Sequence, residues 1–140
     1  MATHQNHGLG SSRSDLIWGD GFAGAVVGVL MLVLASPLSV WYQVPRDFLI
    51  FMGIVNLAYA AYSLSLARRP RRPMAMILFL ICANGIWGAL CLWWAFDFRE
   101  TAGWLGIGHF IIEGLFVGGL AVWEWCWRES LVDARPQIQA

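Results

Sequence analysis

Four long apolar stretches separated by short polar segments dominate the pattern of hydrophobic and polar positions along the chain. They cover residues 22–42, 48–67, 74–96 and 103–127. Each is long enough to cross the hydrocarbon core of a bilayer, which takes about 20 helical residues. Short connections force sequential helices to pack antiparallel. The pattern therefore predicts an all-α integral membrane protein, with four transmembrane helices in an antiparallel up-down-up-down bundle.

The two ends of the chain differ from this apolar middle part. Residues 1–14 are polar and contain several Gly and Ser residues, and residues 130–140 are again polar. We predict a flexible cytoplasmic tail at residues 1–14 and a cytoplasmic tail at residues 130–140, around one transmembrane domain, residues 15–129. Asp20 stands just before the first apolar stretch, where we expect it to cap a helix at the membrane interface. Pro37 is expected to kink the first helix or to end it early.

The distribution of arginine predicts the orientation of the helices. Arg68, Arg69, Arg71 and Arg72 stand together between the second and third stretches. Arginines clustered next to a transmembrane helix stay on the cytoplasmic side. We therefore predict a multi-pass protein of the bacterial inner (cytoplasmic) membrane with both termini cytoplasmic. The four arginines are expected to hold this topology and to attract anionic lipid headgroups.

Composition narrows the class of protein further. With 59% hydrophobic and 13% charged residues, the chain is too apolar for an ordinary soluble domain. Its formal net charge is zero and it has no extended basic face, so nucleic acid is not an expected partner. We find no nucleophilic triad, phosphate-binding loop or dinucleotide fingerprint, so we expect neither an enzyme nor a cofactor. No metal site is expected either.

Polar side chains near the middle of three apolar stretches are the best candidates for function. His109 and Glu113 are four residues apart and so share one helix face. Ionisable residues at this depth are usually functional. Asn56 and Asn84 lie near the midpoints of their own stretches, so we expect both to meet Glu113 at one depth. The predicted ligand or proton site consists of His109, Glu113, Asn56, Asn84, Tyr59 and Trp87.

Three spacings predict contacts between helices or within one. Asn56 and Asn84 are each followed by an aromatic residue at +3, small residues at +4 and +7, and Leu at +8. A two-helix duplication would not relate these two stretches, so we interpret the match as a shared packing requirement. The spacing of Gly24 and Gly28 allows another helix to approach closely. Glu124, four residues before an arginine, is expected to form a helical ion pair with Arg128.

Two functions fit these predictions. The first is a small inner-membrane protein that acts by association, as an accessory subunit or a homo-oligomer, with a mainly structural polar cluster. The alternative is a proton-linked transporter, or a protein that binds a small ligand, centred on Glu113 and His109. In that case Tyr59, Trp87 and Phe110 form aromatic walls around the ligand. The expected partners are membrane lipid and either a second copy of the chain or another membrane protein.

Overall fold

The computed structural model describes residues 9–132, with side chains described from Ile17 onward. Predictions that concern residues 1–8 and 133–140 lie outside the described residues. Every regular element in the described part is an α-helix, which confirms the predicted all-α class. In chain order the helices are α1 (Leu9–Val33), α2 (Ala35–Tyr42), α3 (Arg46–Ala67), α4 (Met74–Asp97) and α5 (Trp104–Val132).

The helices have the length and the surface of membrane-spanning segments. In the described residues, α3, α4 and α5 are each long and apolar enough to cross a membrane. α1 and α2 pass the same test as a bent pair, which gives three candidate spans, or four if this pair is one span. Large apolar side chains point outward, with Trp104 81% and Ile112 71% exposed. Such a surface is stable only when lipid or another apolar partner covers it, so the chain is a membrane protein.

The first apolar stretch does not form the single helix 22–42 that the pattern predicts. α1 ends at Val33, α2 begins at Ala35, and the two axes differ in direction by 87°. Pro37 has no N–H to donate to the carbonyl of Val33, and its ring would collide with that carbonyl. The predicted effect of Pro37 is therefore confirmed. α1 also begins at Leu9, so residues 9–14, which the sequence places in the first tail, are helical.

The other helices begin and end close to the predicted positions. α3 and α4 each begin directly after a proline, Pro45 and Pro73, whose φ of −53° and −55° suits a helix start. α5 continues to Val132, which is five residues beyond the predicted end at Trp127.

The helices pack in two pairs, α1 against α3 and α4 against α5. Glycines bring the backbones of each pair together. A Cβ atom on Gly28 would lie 2.9 Å from the carbonyl oxygen of Gly53, and one on Gly88 would lie 3.0 Å from the carbonyl oxygen of Gly114. The close approach predicted for Gly24 and Gly28 therefore takes place inside the chain, where α3 occupies that face of α1.

Two clusters of buried apolar side chains lie at opposite ends of the helices. We call the end next to Arg68–Arg72 the arginine end and the opposite end the far end. The arginine-end cluster consists of Ile17, Leu66, Ala67, Ile77, Leu80, Ile81, Ala121 and Leu131. The far-end cluster consists of Met31, Val44, Leu49, Met52, Cys91, Ala95 and Phe110.

Arg72 does not lie where the sequence predicts for the four clustered arginines. Arg68, Arg69 and Arg71 are exposed, but Arg72 is only 1% exposed. Its guanidinium donates hydrogen bonds of 3.1–3.3 Å to the carbonyls of Leu66, Ala67 and Leu131. These carbonyls belong to the last turns of α3 and α5, where a positive charge is favourable. Arg72 thus joins two helix ends and does not reach lipid headgroups.

Candidate functional site

A cavity of about 360 Å³ lies between the two apolar clusters. α1, α3, α4 and α5 all contribute to its wall, which is mostly apolar. The aromatic members are Tyr59, Tyr62, Phe79, Trp87 and Phe116. The polar members include two carboxylic acids, Asp20 and Glu113, and the two asparagines, Asn56 and Asn84.

Glu113 accepts hydrogen bonds from two helices other than its own. The indole Nε1 of Trp87 donates to Oε1 of Glu113 over 2.8 Å, and Nδ2 of Asn56 donates to the same oxygen over 3.4 Å. Asn56 also donates to the carbonyl of Met52, one turn earlier in α3. Three of the predicted site residues, Asn56, Trp87 and Glu113, therefore meet on the cavity wall, at the shared depth that the sequence predicts for Asn56 and Glu113.

His109 contacts Glu113 from the side of the far end. Its Nε2 atom lies 2.9 Å from Oε2 of Glu113, a distance typical of an ion pair. Apart from this contact, neither atom has a hydrogen-bond partner among the described residues. The ring of Tyr42 in α2 lies 5.4 Å from the imidazole, centroid to centroid. Neither His109 nor Phe110 lines the cavity, and the contact of His109 with the cavity wall is through Glu113.

Asp20 forms a second acidic site that the sequence analysis missed. The prediction of an interfacial helix cap is wrong because α1 begins at Leu9, which places Asp20 inside the helix, 7% exposed. The hydroxyl of Tyr59 donates to Oδ2 of Asp20, and the hydroxyl of Ser63 donates to the same oxygen over 3.2 Å. Tyr59 therefore lines the cavity, but its hydroxyl contacts Asp20 and not Glu113.

Asn84 also differs from the prediction. Its Nδ2 donates to Oε2 of Glu124 over 3.0 Å, and its side chain also interacts with Asp20. It therefore does not join Glu113. Glu124 is 4% exposed and lies near Asp20, which contradicts the predicted ion pair with Arg128. Arg128 instead donates to the carbonyl of Trp125.

The two acids on the cavity wall have matching surroundings. Each accepts a hydrogen bond from an aromatic donor on the helix that its own helix packs against, Tyr59 for Asp20 and Trp87 for Glu113. Each aromatic donor follows an asparagine by three positions. The surroundings differ in the bases present. Glu113 has an imidazole beside it, whereas the groups placed on Asp20 are hydroxyls, an amide and the nearby acid Glu124.

The cavity therefore places two carboxyl groups, those of Asp20 and Glu113, on a largely apolar wall. Among the described residues, no group of three or more His, Cys, Asp or Glu side chains is placed to hold a metal ion. Comparison of the chain with protein-family models, with curated proteins and with solved structures finds no match to any of them.

Proposed function

We propose that the protein crosses the bacterial inner membrane four times, with α1 and α2 forming one bent span. The exposed Arg68, Arg69 and Arg71 support a cytoplasmic arginine end, because clustered arginines next to a span stay on that side. The arginine-end cluster joins the first half of α1, the end of α3, the first half of α4 and the second half of α5. This order favours the antiparallel arrangement of all four crossings, with both termini cytoplasmic.

We propose further that the protein binds a small, mostly apolar cation, such as an amine or a quaternary ammonium, in the cavity between the two clusters. The observation that carries this proposal is the presence of two carboxylic acids, Asp20 and Glu113, on one largely apolar wall. A volume of about 360 Å³ falls in the range of small-molecule pockets. Tyr59 and Trp87 supply aromatic faces, which attract cations.

The charges on the wall decide between cationic, neutral and anionic ligands. A carboxylate removed from water is costly unless a positive group accompanies it. Glu113 has the imidazole of His109 beside it, which is positive when protonated, but no base is among the groups that the described structure places on Asp20. A cation in the cavity supplies the missing charge, an anion adds repulsion, and a neutral molecule gains only apolar contact.

The cavity also favours ligand binding over action by association. The glycine face of α1, which the sequence offers to a partner helix, is already covered by α3 of the same chain. An accessory or homo-oligomeric role remains a prediction from the sequence. So do the absence of enzymatic activity and the interaction with anionic lipid.

The proposal can be tested with two probes of the same shape. Benzyltrimethylammonium carries one positive charge, and neopentylbenzene is its uncharged isostere. Binding to the purified protein is followed by intrinsic tryptophan fluorescence, because Trp87 lines the cavity. We expect the cation to bind at least about tenfold more tightly, which corresponds to about 1.4 kcal/mol.

Variants with neutral isosteres locate the binding site. Asp20→Asn and Glu113→Gln should both weaken binding of the cation, and Glu129→Gln, which alters an acid whose side chain is 85% exposed, should not. Equal affinity for both probes, or no binding of the cation at millimolar concentration, would overturn the proposed function.

A further inference from the structure

The two helix pairs are related by equivalent positions. Position i of α3 corresponds to position i + 28 of α4. Identical residues recur at this offset along the whole length of both helices, which the partial match read from sequence did not reveal. Corresponding side chains are also equally buried, since Leu49, Ile77, Met52 and Leu80 all have 0% exposure. The identical pairs include Pro45 and Pro73, Phe51 and Phe79, Asn56 and Asn84, Leu64 and Leu92, and Ala67 and Ala95.

The partner helices α1 and α5 are also related by equivalent positions, at a different offset. Position i of α1 corresponds to position i + 93 of α5, which pairs Asp20-Gly21 with Glu113-Gly114. A Cβ atom on Gly21 would lie 2.8 Å from the side chain of Leu64, and one on Gly114 would lie 2.9 Å from that of Leu92. Leu64 and Leu92 are themselves an equivalent pair. The contacts between helices therefore repeat, and the match between Asn56 and Asn84 is part of a structural repeat.

The two halves of the repeat run in opposite directions, so residues at the arginine end of one helix pair correspond to residues at the far end of the other. Ile17 and Ala67 belong to the arginine-end cluster, and their equivalents Phe110 and Ala95 belong to the far-end cluster. The cavity lies between the clusters, and much of its lining consists of equivalent pairs. These pairs are Asp20 and Glu113, Ala23 and Phe116, Gly24 and Val117, Val55 and Ala83, Asn56 and Asn84, and Tyr59 and Trp87.

Hydrogen bonds at the site are stronger within each pair of helices than between the pairs. Asp20 is held by Tyr59 within the first pair, and Glu113 is held by Trp87 at 2.8 Å within the second. The bond that crosses from α3 to Glu113, donated by Asn56, is 3.4 Å long. At Glu113, movement of one pair against the other therefore breaks only a long hydrogen bond, whereas opening of the arginine end also requires the hydrogen bonds from Arg72 to α3 and α5 to break.

We infer that the protein carries its cationic ligand across the membrane by rocking one helix pair, α1 with α3, against the other, α4 with α5. Halves that are equivalent but oppositely oriented give two states of similar energy, open to opposite sides around a fixed central site. The arginine-end cluster closes the cavity in one state, and the far-end cluster closes it in the other. This inference rests on the proposed function, because the cavity must bind the cation before it can carry it.

Uptake by vesicles tests whether the bound cation moves. Radiolabelled benzyltrimethylammonium has a fixed charge and does not cross a lipid bilayer by itself at an appreciable rate. Vesicles that contain the wild-type protein should take it up at least about tenfold faster than protein-free vesicles, and the uptake should saturate. Glu113→Gln should abolish uptake, and Glu129→Gln should leave it unchanged.

Two cysteine positions that are equivalent in the repeat test the rocking motion itself. Ser63 and Cys91 correspond to each other, and both are 0% exposed. One variant keeps Cys91 and replaces the exposed Cys82 and Cys126 by Ser, and a second variant adds Cys91→Ser and Ser63→Cys. With a charged thiol reagent that does not cross membranes, we expect Cys91 to react from the far side. The cysteine introduced at Ser63 should react from the arginine side, and the ligand should slow both reactions.

The outcomes separate the inference from the proposed function. Binding of benzyltrimethylammonium without uptake, or reaction of both cysteines from the same side, overturns the transport inference and leaves the binding site standing. If the wild-type protein does not bind benzyltrimethylammonium, both the proposed function and the transport inference are overturned. Saturable uptake together with reaction from opposite sides supports both.

Discussion

The crossing of α4 and α5 gives the sharpest expectation about stability. A Cβ atom added to Gly88 would lie 2.9 Å from the backbone nitrogen of Gly118 and 3.0 Å from the carbonyl oxygen of Gly114. Because both atoms belong to the backbone, no side chain can move aside, and the two helices have to separate by a few tenths of an ångström. We therefore expect Gly88→Ala to destabilise the protein.

The magnitude follows from two opposing effects. Overpacking a close contact costs about 1–3 kcal/mol, whereas Ala in place of Gly gains up to about 1 kcal/mol of helix propensity. Gly119→Ala in the same helix pair is the matched control, because a Cβ atom there meets nothing within 4 Å. The control has the propensity gain without the collision. The difference between the two variants should therefore equal the overpacking cost, about 1–3 kcal/mol.

Equilibrium unfolding in mixed micelles, followed by circular dichroism, measures this difference. The site offers a second readout, because Trp87 and Glu113, neighbours of Gly88 and Gly114, share the 2.8 Å hydrogen bond. Separation of the helices should lengthen this bond and weaken binding of benzyltrimethylammonium in Gly88→Ala alone. Equal unfolding free energies for the two variants would refute the close crossing.

Three further substitutions test other parts of the structure. Arg72→Gln should lower the free energy of unfolding by about 3 kcal/mol, because charged hydrogen bonds to two helix ends are lost; equal unfolding curves for this variant and for the exposed-site variant Arg71→Gln would contradict that role. Tyr59→Phe should lower the free energy of unfolding by about 1–3 kcal/mol. In a double-mutant cycle its effect should not add to that of Asp20→Asn, because the two side chains share one hydrogen bond. Additive effects on the free energy of unfolding would exclude that coupling. Glu113→Gln should change the free energy of unfolding by less than about 1 kcal/mol, because the amide oxygen of Gln still accepts hydrogen bonds from Trp87 and Asn56. A fully unfolded variant would show that the charge of Glu113 is itself needed for the structure.

The sequence predicts the helices well because hydropathy and length determine where a chain can cross a membrane. It also predicts that Asn56 and Glu113 meet, since both lie near the middle of their stretches and polar side chains avoid lipid. The break at Leu34 is foreseeable from Pro37, but not its angle, which depends on how α2 packs on the start of α5.

The sequence assigns wrong roles to Asp20 and Glu124 and a wrong partner to Asn84, for two physical reasons. Hydropathy gives the depth of a residue but not the direction in which its side chain points around the helix. Whether Asp20 caps a helix or lies inside one depends on where α1 begins, and it begins among polar residues that carry no hydropathy signal. Asn84 similarly turns to Glu124 because of the way α4 packs on α5. The repeated acid-glycine step, Asp20-Gly21 and Glu113-Gly114, is the sequence signal for the second site.

Native mass spectrometry of the protein, extracted gently from its own membrane, shows whether the cavity holds a small cation. Wild type, Asp20→Asn and Glu113→Gln are compared under the same conditions. We expect the wild-type protein to carry a small organic cation that is absent from both variants. A bound partner chain with no small molecule, or the same small molecule in all three proteins, would contradict it.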